Sequence, residues 1–162
     1  MGKLTAAIRV ADEVWIATAL LHREHPETSD FTLREIEARL VREGLTDRPR
    51  PGVQPHLSVH CVANRAPNGG TYRMLIETAP SRRRLYRPGD PYHPKRERGK
   101  TTPDPAEIPP KYHALLDWYD REWGPGARAG ADPLLALAAR HRSLWRGVDA
   151  DQYVRELREG FE

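Results

Sequence analysis

Apolar positions recur at helical spacing in successive stretches of the first half of this chain. Val10, Val14, Ala17 and Leu21 form one stripe, with Leu20 beside it, and predict a helix over 8–23. Trp15 lies off that stripe and is expected to pack on a neighbouring element. Pro26 ends the run, because a proline disfavours helix in the residue before it. A second helix is predicted over 32–43, with Leu33, Ile36 and Leu40 as its buried face. Thr32 and Glu35 have capping-box spacing, and Phe31 and Ile36 that of a hydrophobic staple. Gly44 suits the left-handed residue that stops a helix, with Leu45 folding back on Leu40. A third helix is predicted over 55–64, with Pro55 in its first turn. Leu57, Cys61 and Val62 fall on one side of it, and His56, His60 and Asn64 form a polar stripe opposite.

The pattern then changes. Asn68-Gly69-Gly70 is a turn signal. Residues 72–77 read as a strand, 78–81 as a loop and 82–87 as the hairpin partner. A segment rich in proline and charge follows, and its part over 95–110 reads as a basic linker. A fourth helix is predicted over 111–123, with Leu115, Trp118 and Tyr119 on one face together with Tyr112 and Trp123. An aromatic stripe of this spacing serves core packing or a homodimer contact rather than a ligand box. Gly124 to Ala131 reads as a flexible tether. Beyond it lie an apolar run, a basic patch with Arg140 and Arg142, and the pair Leu144-Trp145. A short amphipathic helix closes the chain, with Tyr153, Val154, Leu157 and Phe161 at i, i+1, i+4 and i+8. Asp149 with Gln152 has the form of its capping box, and Asp151 is the other candidate cap. A helix of about ten residues near a terminus is marginal alone in water. Its apolar side requires a surface, either the protein's own core or a partner.

Composition narrows the class. The 162 residues fit one ordinary domain with an appendage, and 38% apolar against 30% charged content makes a soluble chain with a lean core. No run is apolar enough to span a membrane and no secretory leader is evident, so a cytoplasmic location is expected. Cys61 is the single cysteine, which excludes an internal disulfide and fits a small buried side chain. Charge is asymmetric: residues 1–100 carry 18 basic and 12 acidic side chains, a net +6, and residues 101–162 carry 8 and 11, a net −3. That asymmetry suggests that the first part meets a polyanion.

Three helices followed by a hairpin is the order of a winged helix. The expected class is therefore mainly α with a small β-hairpin, an α+β fold. A winged-helix-like domain over 1–94 is followed by the linker over 95–110, a helix over 111–124 and an extended or helical tail over 125–162. In such a fold His56, His60 and Asn64 are placed to meet base edges or phosphates, with Arg65 just beyond. Arg82, Arg83, Arg84 and Arg87 on the hairpin are candidates for phosphate contacts through counterion release. The structural alternatives are a solvated helix face and a charged hairpin edge that blocks sheet aggregation. A zinc site at His56, His60 and Cys61 is not expected, since Cys61 points away from the histidines on a helix and no second cysteine exists. Enzyme chemistry is not expected either. No triad, P-loop or dinucleotide-binding spacing occurs, so neither a metal nor a cofactor is foreseen, and Asp117 and Asp120 should face water.

Two resemblances add to this. Leu144 to Asp151 (LWRGVDAD) followed by Tyr153 to Gly160 (YVRELREG) resembles the C-terminal tail of antitoxins that neutralise PIN-domain ribonuclease toxins. That family's tail usually ends Gly-Trp-Glu, whereas this one ends Gly160-Phe161-Glu162. The resemblance implies a PIN-domain ribonuclease toxin as partner. Leu144, Trp145, Tyr153, Val154, Leu157 and Phe161 would then fill its groove. Arg140, Arg142 or Arg146 would approach its acidic metal site, Arg146 being the first choice because it follows Trp145 directly. The N-terminal part, through His60 to Arg65 (HCVANR), Tyr72 to Leu75 (YRML) and Arg83 to Pro94 (RRLYRPGDPYHP), resembles an uncharacterised winged-helix-like family. Together these imply an antitoxin that also binds DNA at its own promoter for autoregulation. The alternatives are a winged-helix transcription regulator whose tail serves self-association, and an accessory nuclease, which lacks a cluster of acidic metal ligands.

Overall fold

A computed structural model describes residues 7–45 and 50–124. The protein is mixed α+β, with a small three-stranded antiparallel sheet. Helix α1 (Val10–Glu24) is the axis of the fold. The stripe predicted for it becomes burial on every side, from Ala11 to His22, because helices and sheet pack around it. Trp15, off the stripe, is buried and its ring lies 5.7 Å from Tyr119. Asp12 and Glu13 are buried in the first turn, where a helix N-terminus favours negative charge. Glu13 is answered by Arg50 at 2.7 Å. Asp12 and Glu13 both have carboxyl groups pushed up by burial.

The next two elements meet at Thr32. Strand β1 (Phe31–Thr32) leads directly into helix α2 (Leu33–Glu43). The Thr32 hydroxyl accepts the Glu35 N–H at 3.2 Å, and the Glu35 carboxylate accepts the Thr32 N–H at 2.7 Å, which closes the predicted capping box. Gly44 ends α2 with φ of 74°, and its N–H donates to the Val41 carbonyl at 3.0 Å. Ile36 and Leu40 are in the core, with Leu33 and Leu45 packed against it.

The third helix is shorter than the sequence suggests. A single turn, α3 (Val53–Pro55), runs into a π-helical segment (His56–His60), closed by the Cys61 N–H donating back to the His56 carbonyl at 3.0 Å. Its apolar side is as expected, with Leu57, Cys61 and Val62 fully buried. Strands β2 (Leu75–Ala79) and β3 (Arg82–Leu85) form the hairpin, and β1 adds to β3. The sheet order is β1-β3-β2. Strand β1 falls where the sequence shows only a helix cap.

The segment foreseen as a linker is part of the folded body. Arg96 within it is fully buried, and Ile108 joins the main core. Helix α4 (His113–Trp118) is preceded by a 3-10 turn (Pro110–Tyr112) and followed by a π-helical segment (Tyr119–Trp123). Tyr112, Leu115, Trp118, Tyr119 and Trp123 all face inward, so the aromatic stripe is core. The Tyr119 hydroxyl donates to the Tyr86 carbonyl at 2.5 Å, and the Trp123 ring lies 4.0 Å from His22. Asp117 and Asp120 are exposed. No helix among the described residues is long and apolar enough to cross a membrane.

Candidate nucleic-acid interface

The polar stripe of the third helix is brought together only in part. His56 and His60 stand edge to face with ring centroids 4.9 Å apart, and both are half-buried. His56 Nδ1 bonds the Gly52 carbonyl at 2.7 Å, and burial lowers its pKa below the usual imidazole value. His60 Nδ1 accepts the Gly70 N–H at 3.3 Å. A Cβ on Gly70 would lie 2.8 Å from the His60 Cβ, so the Gly69-Gly70 turn packs directly on this side chain. Asn64 is not on the helix. The chain turns at Cys61 and runs beside β2, where the Ala63 N–H donates to the Leu75 carbonyl at 2.8 Å. The Asn64 amide then pairs with the Glu77 backbone in both directions, each bond 3.0 Å. The amide is held against the β2 backbone through one of its two N–H groups and its oxygen, and it does not stand in line with His56 and His60 on the helix.

The hairpin arginines are largely spent inside the fold. Arg83 is 2% exposed. Its Nε donates to the Leu57 carbonyl at 2.9 Å and its Nη1 pairs with Glu77 at 3.0 Å. Arg83 is therefore a core residue and not a phosphate contact. Arg84 makes two parallel bonds to Asp90, at 2.7 and 2.8 Å. Arg82 pairs with Asp30 at 2.7 Å, and that bond together with the Thr78 hydroxyl holds the Asp30 carboxyl below its usual range. Arg87 lays its guanidinium 3.7 Å from the Trp123 ring centre. Arg65 pairs with Glu77 at 2.7 Å and keeps an exposed side chain. Of these five arginines Arg65, Arg82, Arg83 and Arg84 have a carboxylate partner, Arg65 and Arg83 sharing Glu77, and Arg87 has none among the described residues.

Two features escape sequence reading. Arg96 sends its guanidinium into the core, where it meets carbonyls rather than a carboxylate: Val59 at 2.7 Å, His60, Tyr72 and Arg65 at 2.8 Å, and Gly70 at 3.3 Å. The Val59 and His60 carbonyls close the third helix; Val59 already accepts the Val62 N–H at 3.1 Å, and the Arg96 cation adds a second donor there, meets the His60 carbonyl and answers the negative helix end. Arg73 is the second feature. Its guanidinium lies 4.3 Å from the Tyr92 ring centre and 5.6 Å from that of Tyr86. The arginine-tyrosine composition of 72–92 is a signal for such stacking, but the pairing comes from the fold.

The tail candidates Arg140, Arg142, Leu144, Trp145, Arg146, Tyr153, Val154, Leu157 and Phe161 lie outside the described residues. The thiol of Cys61 is fully buried, and burial pushes its pKa up, so it is not placed as a reactive or ligating group. No protein-family model, no curated protein and no solved structure matches this chain.

Proposed function

We propose that this chain is a two-part antitoxin, with a winged-helix-like domain that binds nucleic acid and a C-terminal tail that neutralises a PIN-domain ribonuclease toxin. Support for the first part comes from topology. Three helices followed by a hairpin, the order read from the sequence as that of a winged helix, recur as α1, α2 and α3 before β2 and β3, with β1 added to the sheet. The single observation that carries the second part is the tail sequence, in which Trp145, the Asp149-Ala150-Asp151 run and the Tyr153-Val154 pair stand at the spacing of the antitoxin tails it resembles. Neutralisation then asks two things of the tail. Trp145, Tyr153, Leu157 and Phe161 bury apolar surface, and large aromatic anchors dominate interfaces of this kind. Arg140, Arg142 and Arg146 offer guanidinium groups to the carboxylates that hold the toxin's divalent metal. A tail that orders on its partner loses conformational entropy, so several anchors must act together.

The direct test is co-expression with the product of the adjacent reading frame, followed by affinity purification. The full chain is expected to retain that product, and a truncation ending at Ala131 is expected to lose it. Retention by the truncated chain contradicts the proposal.

A further inference from the structure

We propose that the nucleic-acid contact surface of the domain is the loop over 91–100 together with Arg73 and Tyr92, and not the β2-β3 hairpin. This rests on the reading that the domain binds nucleic acid.

The first observation is which cations remain available. Arg65, Arg82, Arg83 and Arg84 each have a carboxylate partner within 3.0 Å. Among the described residues, Arg23, Arg34, Arg73, Arg87, Lys95, Arg96, Arg98 and Arg121 take part in no ion pair, and of these Lys95 and Arg98 lie in the loop while Arg73 bonds to its Gly99 and Lys100 carbonyls. Lys95 and Arg98 are exposed. At Lys95 and Arg98 a phosphate replaces water, whereas it must displace a carboxylate to reach Arg82 or Arg84. Counterion release follows the first case.

The second observation is the aromatic ring beside them. Tyr92, at 39% exposed, is the single large exposed hydrophobic residue among those described. The Arg73 guanidinium stacks over one face of its ring at 4.3 Å. A cation-backed tyrosine next to unpaired basic side chains is the combination that holds a nucleic-acid strand, with phosphates on the cations and a base or sugar against the ring.

The third observation is rigidity. Arg96 anchors the loop in the core through five carbonyl contacts and leaves Lys95, Glu97 and Arg98 outside. The His93 N–H donates to the Ala63 carbonyl and the Arg73 N–H to the Lys100 carbonyl, both at 2.8 Å. Gly99 lies so close to the Thr71 carbonyl that a Cβ would overlap it. A surface already fixed has little ordering to lose on binding. Glu97 is the one acidic side chain within the loop, and Lys100 is held by Glu107 at 2.9 Å, so Arg73, Lys95 and Arg98 carry the contact.

The test is fluorescence anisotropy with the full chain over a salt series. The probes are a labelled duplex from the DNA upstream of its own gene and one labelled single strand of the same sequence. The double variant Lys95→Ala/Arg98→Ala is expected to lose about tenfold in affinity and about two phosphate contacts of salt slope. Tyr92→Ala is expected to lose about tenfold on the single strand. Loss on both probes assigns backbone contacts, and loss confined to the single strand assigns unpaired bases; either result supports the surface. Thermal midpoints equal to wild type show that the variants are folded. If wild type binds and these variants keep its affinity and slope, the surface is elsewhere. If wild type binds neither probe, the nucleic-acid reading of the domain fails, and this surface with it.

Discussion

The Arg83 Nε donates to the main-chain carbonyl of Leu57 at 2.9 Å, tying the middle of strand β3 to the π-helical turn of the third helix. The bond satisfies a carbonyl whose ordinary helical partner is lost where the turn widens. Arg83→Met removes it and leaves Glu77 to Arg65 alone. The expected cost is about 3 kcal/mol in urea unfolding, as for other broken buried charge contacts. A variant as stable as wild type but weakened in DNA binding would return Arg83 to the role of phosphate contact.

Arg96 should matter as much. Its guanidinium serves carbonyls from Val59, His60, Arg65, Gly70 and Tyr72, to which no other side chain among the described residues donates. Arg96→Ala is expected to cost about 3 kcal/mol or more, and Arg96→Lys to restore only part of it, because an ammonium is a point charge and not a planar fork. An unchanged unfolding midpoint in Arg96→Ala contradicts this role.

How much of this was legible in the sequence depends on the distance between partners. The α2 caps were readable because Thr32, Glu35 and Gly44 act within one helix. The inward face of Tyr112, Leu115, Tyr119 and Trp123 was readable because periodicity reports burial. Strand β1 was not, since two residues become a strand only through Arg82 and Arg83, fifty positions on. Nor was the early end of the third helix, which depends on one widened turn at His56. The basic hairpin misled for the same reason. Sequence reports the charge of Arg82, Arg83 and Arg84, but their partners Asp30, Leu57 and Asp90 are assigned by the fold.

Stability should fall as the solution becomes mildly acidic, through His22. This side chain is 2% exposed, accepts the Leu85 N–H at Nε2 at 3.2 Å, and has its pKa lowered by burial, with Arg87 and Arg84 adding to the effect, to about 3 from an ordinary 6.5. Between those values the unfolded chain binds more protons than the folded one, so stability rises with pH across that window and is lost as pH falls. The slope reaches about 1.4 kcal/mol per pH unit at most. Glu24 and Asp30, both depressed by bonds to arginines, lose stability in the same direction but in the lower carboxylate range, whereas Asp12 and Glu13 oppose it. Urea unfolding at about pH 5 and about pH 7 should show most of the wild-type difference removed in His22→Gln. Equal differences in the two proteins contradict the assignment.

The glycine- and alanine-rich run after Trp123 should be the early site of limited proteolysis in the free protein. Mass spectrometry is expected to find a stable fragment ending within 124–131. The co-purified ribonuclease should protect the tail beyond it. A tail that resists protease in the isolated protein points instead to self-association or docking on the domain.

The measurement that bears most directly on the antitoxin reading is ribonuclease activity of the partner titrated with this protein. Wild type is expected to abolish cleavage at stoichiometric addition. Trp145→Ala should weaken binding by about 2 kcal/mol or more. Arg146→Ala should leave binding largely intact while inhibition falls, because the guanidinium acts on the metal-holding carboxylates rather than on the groove. Full inhibition by a chain that ends at Ala131 would contradict the account.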